Sequence, residues 1–240
     1  MVEVIKVFVF LILFQGRIEA YLSFKGKIMR LFGKLGIYEP EVTRTLKKYI
    51  NSGDTVIDIG AHLGVITQQL LNQVGNAGKV IAIEPQRLLC SEIKKIFSDS
   101  VITHCLALSD KPSDKKLILY VPYLYNILPE PALASLIKPS GKYQEFSVDI
   151  STLDNIVSAD CNITFIKIDV EGHEIPVLNG GSETIRRCNP TILTEINNYD
   201  EASRVAWKNW CERFGYSLPV QLEGGYNYVI VALAKCVAVL

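Results

Sequence analysis

From residue 55 onward, short apolar runs alternate with helical stretches at a spacing that commits the chain to a parallel sheet with crossover helices. Thr55–Ile59 (TVIDI) reads as a strand and 65–73 as a helix. Asn76-Ala77-Gly78 then turns the chain into a second strand at 79–84 (KVIAIE). A helix over Arg87–Phe97 follows, with strands at 101–105, 163–170 (ITFIKIDV) and 191–196 (TILTEI). Further helices start at about His173 and cover Glu201–Phe214. The strands are apolar without alternation, as expected where both faces of a parallel sheet are covered. Two stretches leave no room for a crossover helix. Residues 115–150 hold strand-like runs at 116–121 and 146–150, joined through Pro122, Pro129, Pro131 and Pro139. Residues 216–238 read strand, Glu-Gly-Gly turn, strand, with 226–234 as an apolar run. The sheet should therefore end in an antiparallel hairpin. The economical division is one α/β domain over 37–240 behind an N-terminal arm over 1–36.

Composition matters here for what it excludes. With 240 residues and 49% hydrophobic side chains, the chain has enough apolar material for a core and is neither disordered nor a disulfide scaffold. Twenty-five bases against 25 acids leave no global field to attract nucleic acid, and none is expected as a partner. The balance hides a polarity: residues 1–50 carry nine bases and four acids, so the remainder is acidic. The apolar run 7–14 (VFVFLILF) falls short of the ~20 residues of a spanning helix. It is followed by Gln15-Gly16-Arg17 rather than a small-x-small cleavage site.

Beyond that run, Ile18, Leu22, Met29, Phe32 and Leu35 interleave with Arg17, Lys25, Lys27, Arg30 and Lys34 as a basic amphipathic helix. Such a helix either lies on an anionic membrane surface or a partner, or packs its apolar face on the domain. Six cysteines without a CxxC, several among apolar neighbours as at Cys236, read as inert thiols of a reducing, cytoplasmic compartment. Peripheral membrane association through the arm stays open.

The first strand ends in Asp58-Ile59-Gly60-Ala61-His62-Leu63-Gly64 and runs into a helix. A glycine-bearing strand–helix turn lets a ligand approach the backbone at a helix N-terminus. A dinucleotide turn wants G-x-G-x-x-G, whereas here His62 stands at the second glycine and Asp58 would oppose a phosphate. An acid at that point suits a positive group. The amino-acid end of S-adenosylmethionine offers an ammonium for Asp58 and a carboxylate for the helix N-terminus. Glu84, 24 residues after Gly60 at the end of the second strand, is placed to accept hydrogen bonds from ribose hydroxyls.

With these residues in hand, the sequence resembles the FkbM-type methyltransferases of the class I S-adenosylmethionine-dependent fold. The resemblance is carried by VIDIGAHLG (56–64), VIAIEP (80–85), ALSD (107–110), TLDNI (152–156), FIKIDVEGHEIPVLNG (165–180) and PTILTEI (190–196), covering about 54–197. It implies a Rossmann-like, mostly parallel sheet of seven strands ordered 3-2-1-4-5-7-6 with an antiparallel last strand and helices on both faces. It also implies methyl transfer to an oxygen of a small metabolite or sugar. Asp58, Gly60 and Gly64 match the family's cofactor loop and Glu84 its ribose acid, while Ser109-Asp110 fall where the family's ALSD segment lies near the adenine. His62 departs from the more usual Asn.

Chemistry is expected at Asp169-Val170-Glu171-Gly172-His173-Glu174, because ligands of open α/β sheets bind at the switch between the first and fourth strands. Asp169, Glu171 and His173 are candidates for proton removal or for orienting a hydroxyl acceptor. Alternatively, Glu171 and His173 only start the following helix. No metal site is expected. The rival readings are a nucleotide-binding oxidoreductase and a non-catalytic module that keeps the fold.

Overall fold

The computed structural model describes residues 13–14, 17–196, 199–223 and 225–236. Most of the apolar run 7–14 and Gly224 of the expected Glu-Gly-Gly turn lie outside the described residues. Two helices come first, α1 (Ile18–Lys34) and α2 (Pro40–Tyr49). The alternating series follows with β1 (Thr55–Ile59), α3 (Val65–Val74), β2 (Lys79–Ile83), α4 (Arg87–Phe97) and β3 (Ile102–His104). An insertion carries β4 (Ala107–Leu108), β5 (Ser113–Leu124), β6 (Leu128–Pro129) and β7 (Tyr143–Ser151), then α5 (Leu153–Ile156). The series resumes with β8 (Ile163–Ile168), α6 (Glu174–Asn179), α7 (Ser182–Cys188), β9 (Thr191–Glu195) and α8 (Glu201–Phe214). It closes with β10 (Val220–Gln221), β11 (Asn227–Ile230) and α9 (Leu233–Cys236).

The main sheet runs β3-β2-β1-β8-β9-β11-β10. Its five strands from β3 to β9 are parallel, and β11 is antiparallel to both neighbours. Counted along this sheet alone, that is the expected 3-2-1-4-5-7-6. The insertion forms a separate sheet, β4-β7-β5-β6, with β5 and β7 antiparallel as their runs suggested. The terminal hairpin is shorter than its apolar run. After Ile230 the chain turns: the Val231 amide donates to Ser217 Oγ and the Leu233 amide to the Gly215 carbonyl, and α9 takes residues that read as strand.

Side chains alternate across the sheet with the two-residue strand period. Ile57, Ile59, Ile83, Ile166 and Ile168 face Val177, Leu178, Trp207 and Trp210 of α6 and α8. Both tryptophans are core contacts. Val56, Val80, Ala82, Phe165 and Leu193 face Val42, Leu46, Leu70 and Ile93 of α2, α3 and α4. Each such side chain contributes about 1.5–3 kcal/mol when fully buried. The same alternation turns two ionisable residues toward the second face: Asp58 and Lys167, direct partners in the β1–β8 register.

α1 packs on this assembly. Tyr21 and Leu22 meet Leu63, Val65, Leu89 and Leu128, and the Arg30 guanidinium donates to the Leu63 carbonyl at 2.6 Å. The expectation of thiols throughout fails for one pair. Cys90 of α4 and Cys105, just past β3, stand 5.6 Å apart at Cα and form a disulfide. The helix that crosses back over the sheet edge brings them together. Cys161, Cys188 and Cys211 are free thiols, and the Cys236 side chain lies outside the described residues. Among the described residues no helix is long and apolar enough to cross a membrane.

Candidate functional site

At the carboxyl ends of β1, β2 and β8 lies a cavity of about 550 Å³. Gly60, His62, Glu84, Asp169, Glu171 and His173 line it. Six of the ten residues singled out from sequence are thus brought to one cavity; the other four are not in its lining, Asp58, Gly64 and Ser109 being buried and Asp110 exposed.

Its floor rests on a close approach. Gly60 has φ +81°, and a Cβ there would sit 1.8 Å from the Asp169 carbonyl oxygen. The Gly60 amide donates to the Ile83 carbonyl and the Asp169 amide to the Ile59 carbonyl, so the three strand ends are tied together. Gly64 caps α3 from behind. Asp58, fully buried, accepts from Thr67 Oγ1 at 2.5 Å through Oδ2, while its Oδ1 has no partner. Burial raises its pKa against the opposing pull of Lys167.

Glu84 spans the gap between β2 and the loop. Its carboxylate accepts the His62 amide at 2.8 Å and the Gln86 amide at 2.9 Å. Burial still pushes it up to about 7. Burial also lowers His62 to about 3, so the ring is neutral, and its Nε2 is a second buried atom without a partner.

On the β8 side, Lys167 Nζ donates to Asp169 Oδ2 at 2.8 Å. Burial alone would lower this lysine; Asp169, Asp58 and Glu39 around it keep its ammonium above the ordinary value. Glu171 is held up at about 7, by burial first and then by Asp169, Glu195 and Glu174. Its carbonyl accepts from Ser135 Oγ of the insertion at 2.9 Å. His173 Nε2 lies 2.9 Å from Ser109 Oγ, and burial lowers its pKa. Ser109 in turn donates to Asp110. The ALSD segment is thereby engaged with His173, and Leu106, Ala107 and Leu108 supply the wall expected of Ser109-Asp110. That contact needs Gly180, whose Cβ would sit 2.0 Å from the Ser109 carbonyl oxygen.

The sequence reading missed several residues. Tyr38 and Glu39 reach the cavity from the turn before α2, and Glu195 from the end of β9. Glu39 is raised by burial. Lys25 and Met29 of α1 also line it, with Lys25 paired to Glu130 of the insertion at 3.2 Å. Only Lys167 carried a usable signal: a lone lysine inside an apolar central strand must find counter-charges.

Comparison with known proteins agrees with this architecture. The methyltransferase FkbM domain matches residues 58–218. No curated protein matches the chain. Among solved structures, a methyltransferase FkbM from Methylobacillus flagellatus KT superposes with a TM-score of 0.51 at 17% identity, covering 75% of this chain and 44% of that one. The chain therefore spans less than half of that protein. A putative rRNA methylase from Clostridium thermocellum gives 0.50 at 12% identity, covering 80% and 92%. These likenesses show the fold.

Proposed function

Because the chain belongs to the FkbM methyltransferase family, within the class I S-adenosylmethionine-dependent fold, we propose that it methylates a hydroxyl oxygen of a small metabolite or sugar with S-adenosylmethionine as donor. The observation that carries the reading is the buried, unpartnered Oδ1 of Asp58 beside a glycine that leaves no room for a Cβ. A buried acceptor without a partner costs about 1–3 kcal/mol, which a ligand donor offsets. The residues present fit the cofactor: Asp58 for its ammonium, Glu84 for its ribose hydroxyls, and Leu106–Leu108 as an apolar wall for its base.

The bound cofactor supplies an electrophilic methyl group on a sulfonium. Everything else falls to the chain. An alcohol is a weak nucleophile, so its oxygen must be aligned and its proton accepted as the new C–O bond forms. Asp169 is suited to orient that hydroxyl, because Lys167 fixes its carboxylate at 2.8 Å. Glu171, held at about 7, has the pKa of an effective proton acceptor near neutrality. His173, lowered by burial and engaged with Ser109, is better suited to holding the ALSD segment.

The test is an extract screen by mass spectrometry for products one methylene heavier that appear only with S-adenosylmethionine. Calorimetry against that cofactor and against NAD(P) runs alongside. Cofactor binding with transfer to nitrogen or carbon acceptors only would overturn the oxygen assignment. Binding of NAD(P) instead would return the oxidoreductase reading.

A further inference from the structure

We propose that the outward face of α1 docks the protein on an anionic lipid surface. α1 has two apolar faces. The inner one is already occupied, with Leu22, Gly26 and Gly33 buried. The outer one carries Phe24, Ile28, Leu31, Phe32 and Leu35, which are 38–62% exposed. At 100° per residue these five fall within an arc of about 100°. Tyr21 shares that arc but is buried, with the Phe14 ring against it and against Phe24 at 5.4 Å, so the open stripe runs only from Phe24 to Leu35. Ile37, just past the helix end, extends it. A folded chain rarely leaves such a stripe to water without a use for it.

Charge identifies the occupant. Lys27 and Lys34 flank one edge of the stripe, and Arg17 stands exposed at the start of the helix. The helix has a single acid, Glu19, which the same geometry puts on roughly the opposite side. An apolar ridge with a cationic border and no acid is the pattern of an interfacial helix on anionic headgroups. A second copy of the chain answers this charge poorly, since a symmetric contact would bring two lysine borders together without a counter-charge. In sequence the helix is preceded by the apolar run 7–14 and lies in the first 50 residues, which carry the surplus of bases.

A second element with exposed apolar side chains packs against the buried side of α1. Leu124 and Leu128, at the β5–β6 turn, pack in the same cluster as Tyr21 and Leu22 of α1. At the tip of that turn Tyr125 and Ile127 are 61% and 46% exposed. Lys142 donates to the Asn126 carbonyl beside them at 3.0 Å. Lys25 and Met29 of α1 and Leu124 of this turn also line the cavity.

The experiment is co-sedimentation of the full chain with phosphatidylcholine vesicles, with and without phosphatidylserine, at low and high salt. Binding is expected only with phosphatidylserine and should weaken as salt rises. Phe24→Glu with Leu31→Glu should abolish it. Lys27→Gln and Lys34→Gln, which leave the packing untouched, should each cost about fivefold in affinity. Calorimetric affinity for S-adenosylmethionine should stay at the wild-type value in all of them. Absence of wild-type binding to phosphatidylserine vesicles overturns the proposal. So does a wild-type dimer in sedimentation velocity that Leu31→Glu dissociates, because that outcome assigns the stripe to a second copy. Neither result bears on methyl transfer itself.

Discussion

The two walls of the cavity are built on different principles. The wall at the ends of β1, β2 and β8 consists of backbone approach and buried carboxyls, on strands covered from both sides. Gly60, Glu84 and Asp169 hold their places through amide–carbonyl bonds between strand ends. The facing wall comes from α1, the Tyr38-Glu39 turn and residues 130–136 of the insertion. It is joined by side-chain contacts between remote segments, such as Lys25 to Glu130 and Ser135 to the Glu171 carbonyl. The first wall has the rigidity a common cofactor needs. The second has the freedom to change sequence that acceptor choice needs, as loops on a fixed scaffold do.

If this contrast is right, equal-sized changes on the two walls have unequal effects. Gly60→Ala forces a methyl against the Asp169 carbonyl at a positive φ. A loss of ~4 kcal/mol is expected, at the upper end for one substitution, read as a fall in the chemical-denaturation midpoint. On the other wall, Leu133→Ala removes more atoms from a half-exposed site, and its effect should stay within about 0.5 kcal/mol. Comparable losses would erase the distinction.

The Cys90–Cys105 disulfide tests the border between the walls, since Cys105 immediately precedes the segment where the insertion leaves the sheet. It closes a separation of 15 residues, for which about 3 kcal/mol is expected. Cys105→Ser, or reduction of the wild type, should lower the unfolding free energy by that order. An unchanged midpoint in reductant would show that the sheet edge holds without it.

Asp169 stands on the strand-end wall with an expected role toward the acceptor, and substitution separates that role from cofactor binding. Asp169→Asn keeps shape and removes charge. Turnover should drop ~10²-fold or more if the carboxylate orients or deprotonates the acceptor. Cofactor affinity should change little. Asp58→Ala is the converse case: it should weaken cofactor binding by at least about tenfold, through loss of a charge-assisted bond of ~1.5–3 kcal/mol. Calorimetry paired with turnover reads both.

The same contrast explains what was legible in the sequence. Strand positions could be read because burial on both faces leaves no polar alternation, as in TVIDI and ITFIKI. The loop acid, its glycines and Glu84 could be read because their spacing follows from a strand–turn–helix unit. Tyr38, Glu39, Lys25 and Glu195 could not. They reach the cavity through tertiary contacts that no local period encodes, and Glu39 reads only as a helix start. The disulfide escaped for a related reason: Cys90 and Cys105 lie among apolar neighbours, and only the crossing of α4 over β3 brings them together. The outer stripe of α1 was half visible. Phe32 and Leu35 belong to the amphipathic face read from sequence, whereas Phe24, Ile28 and Leu31 stand out only once packing buries Leu22 on the other side.

The smallest effect sharpens the comparison most. The strand-end wall holds two carboxyls near 7, Glu84 after β2 and Glu171 after β8, where its carbonyl meets Ser135 of the facing wall, both raised from an ordinary 4.5 chiefly by burial. A folded-state pKa above the unfolded one means that the folded chain binds the proton more tightly. Stability from these groups is therefore complete below about 4.5 and is lost as pH rises through about 7. Glu84→Gln should flatten that decline in the ligand-free protein. Hydroxyl donors from a bound cofactor favour the charged form of Glu84 and lower its pKa, so binding near pH 6–7 should expel a proton. Calorimetry in buffers of different ionisation enthalpy measures that release directly. It should vanish in Glu84→Gln and persist in Glu171→Gln, because the cofactor's ribose hydroxyls are assigned to Glu84 and not to Glu171. Glu171→Gln should instead remove the rise of turnover around pH 7. Release that survives Glu84→Gln but not Glu171→Gln would reverse the assignment of the two carboxyls.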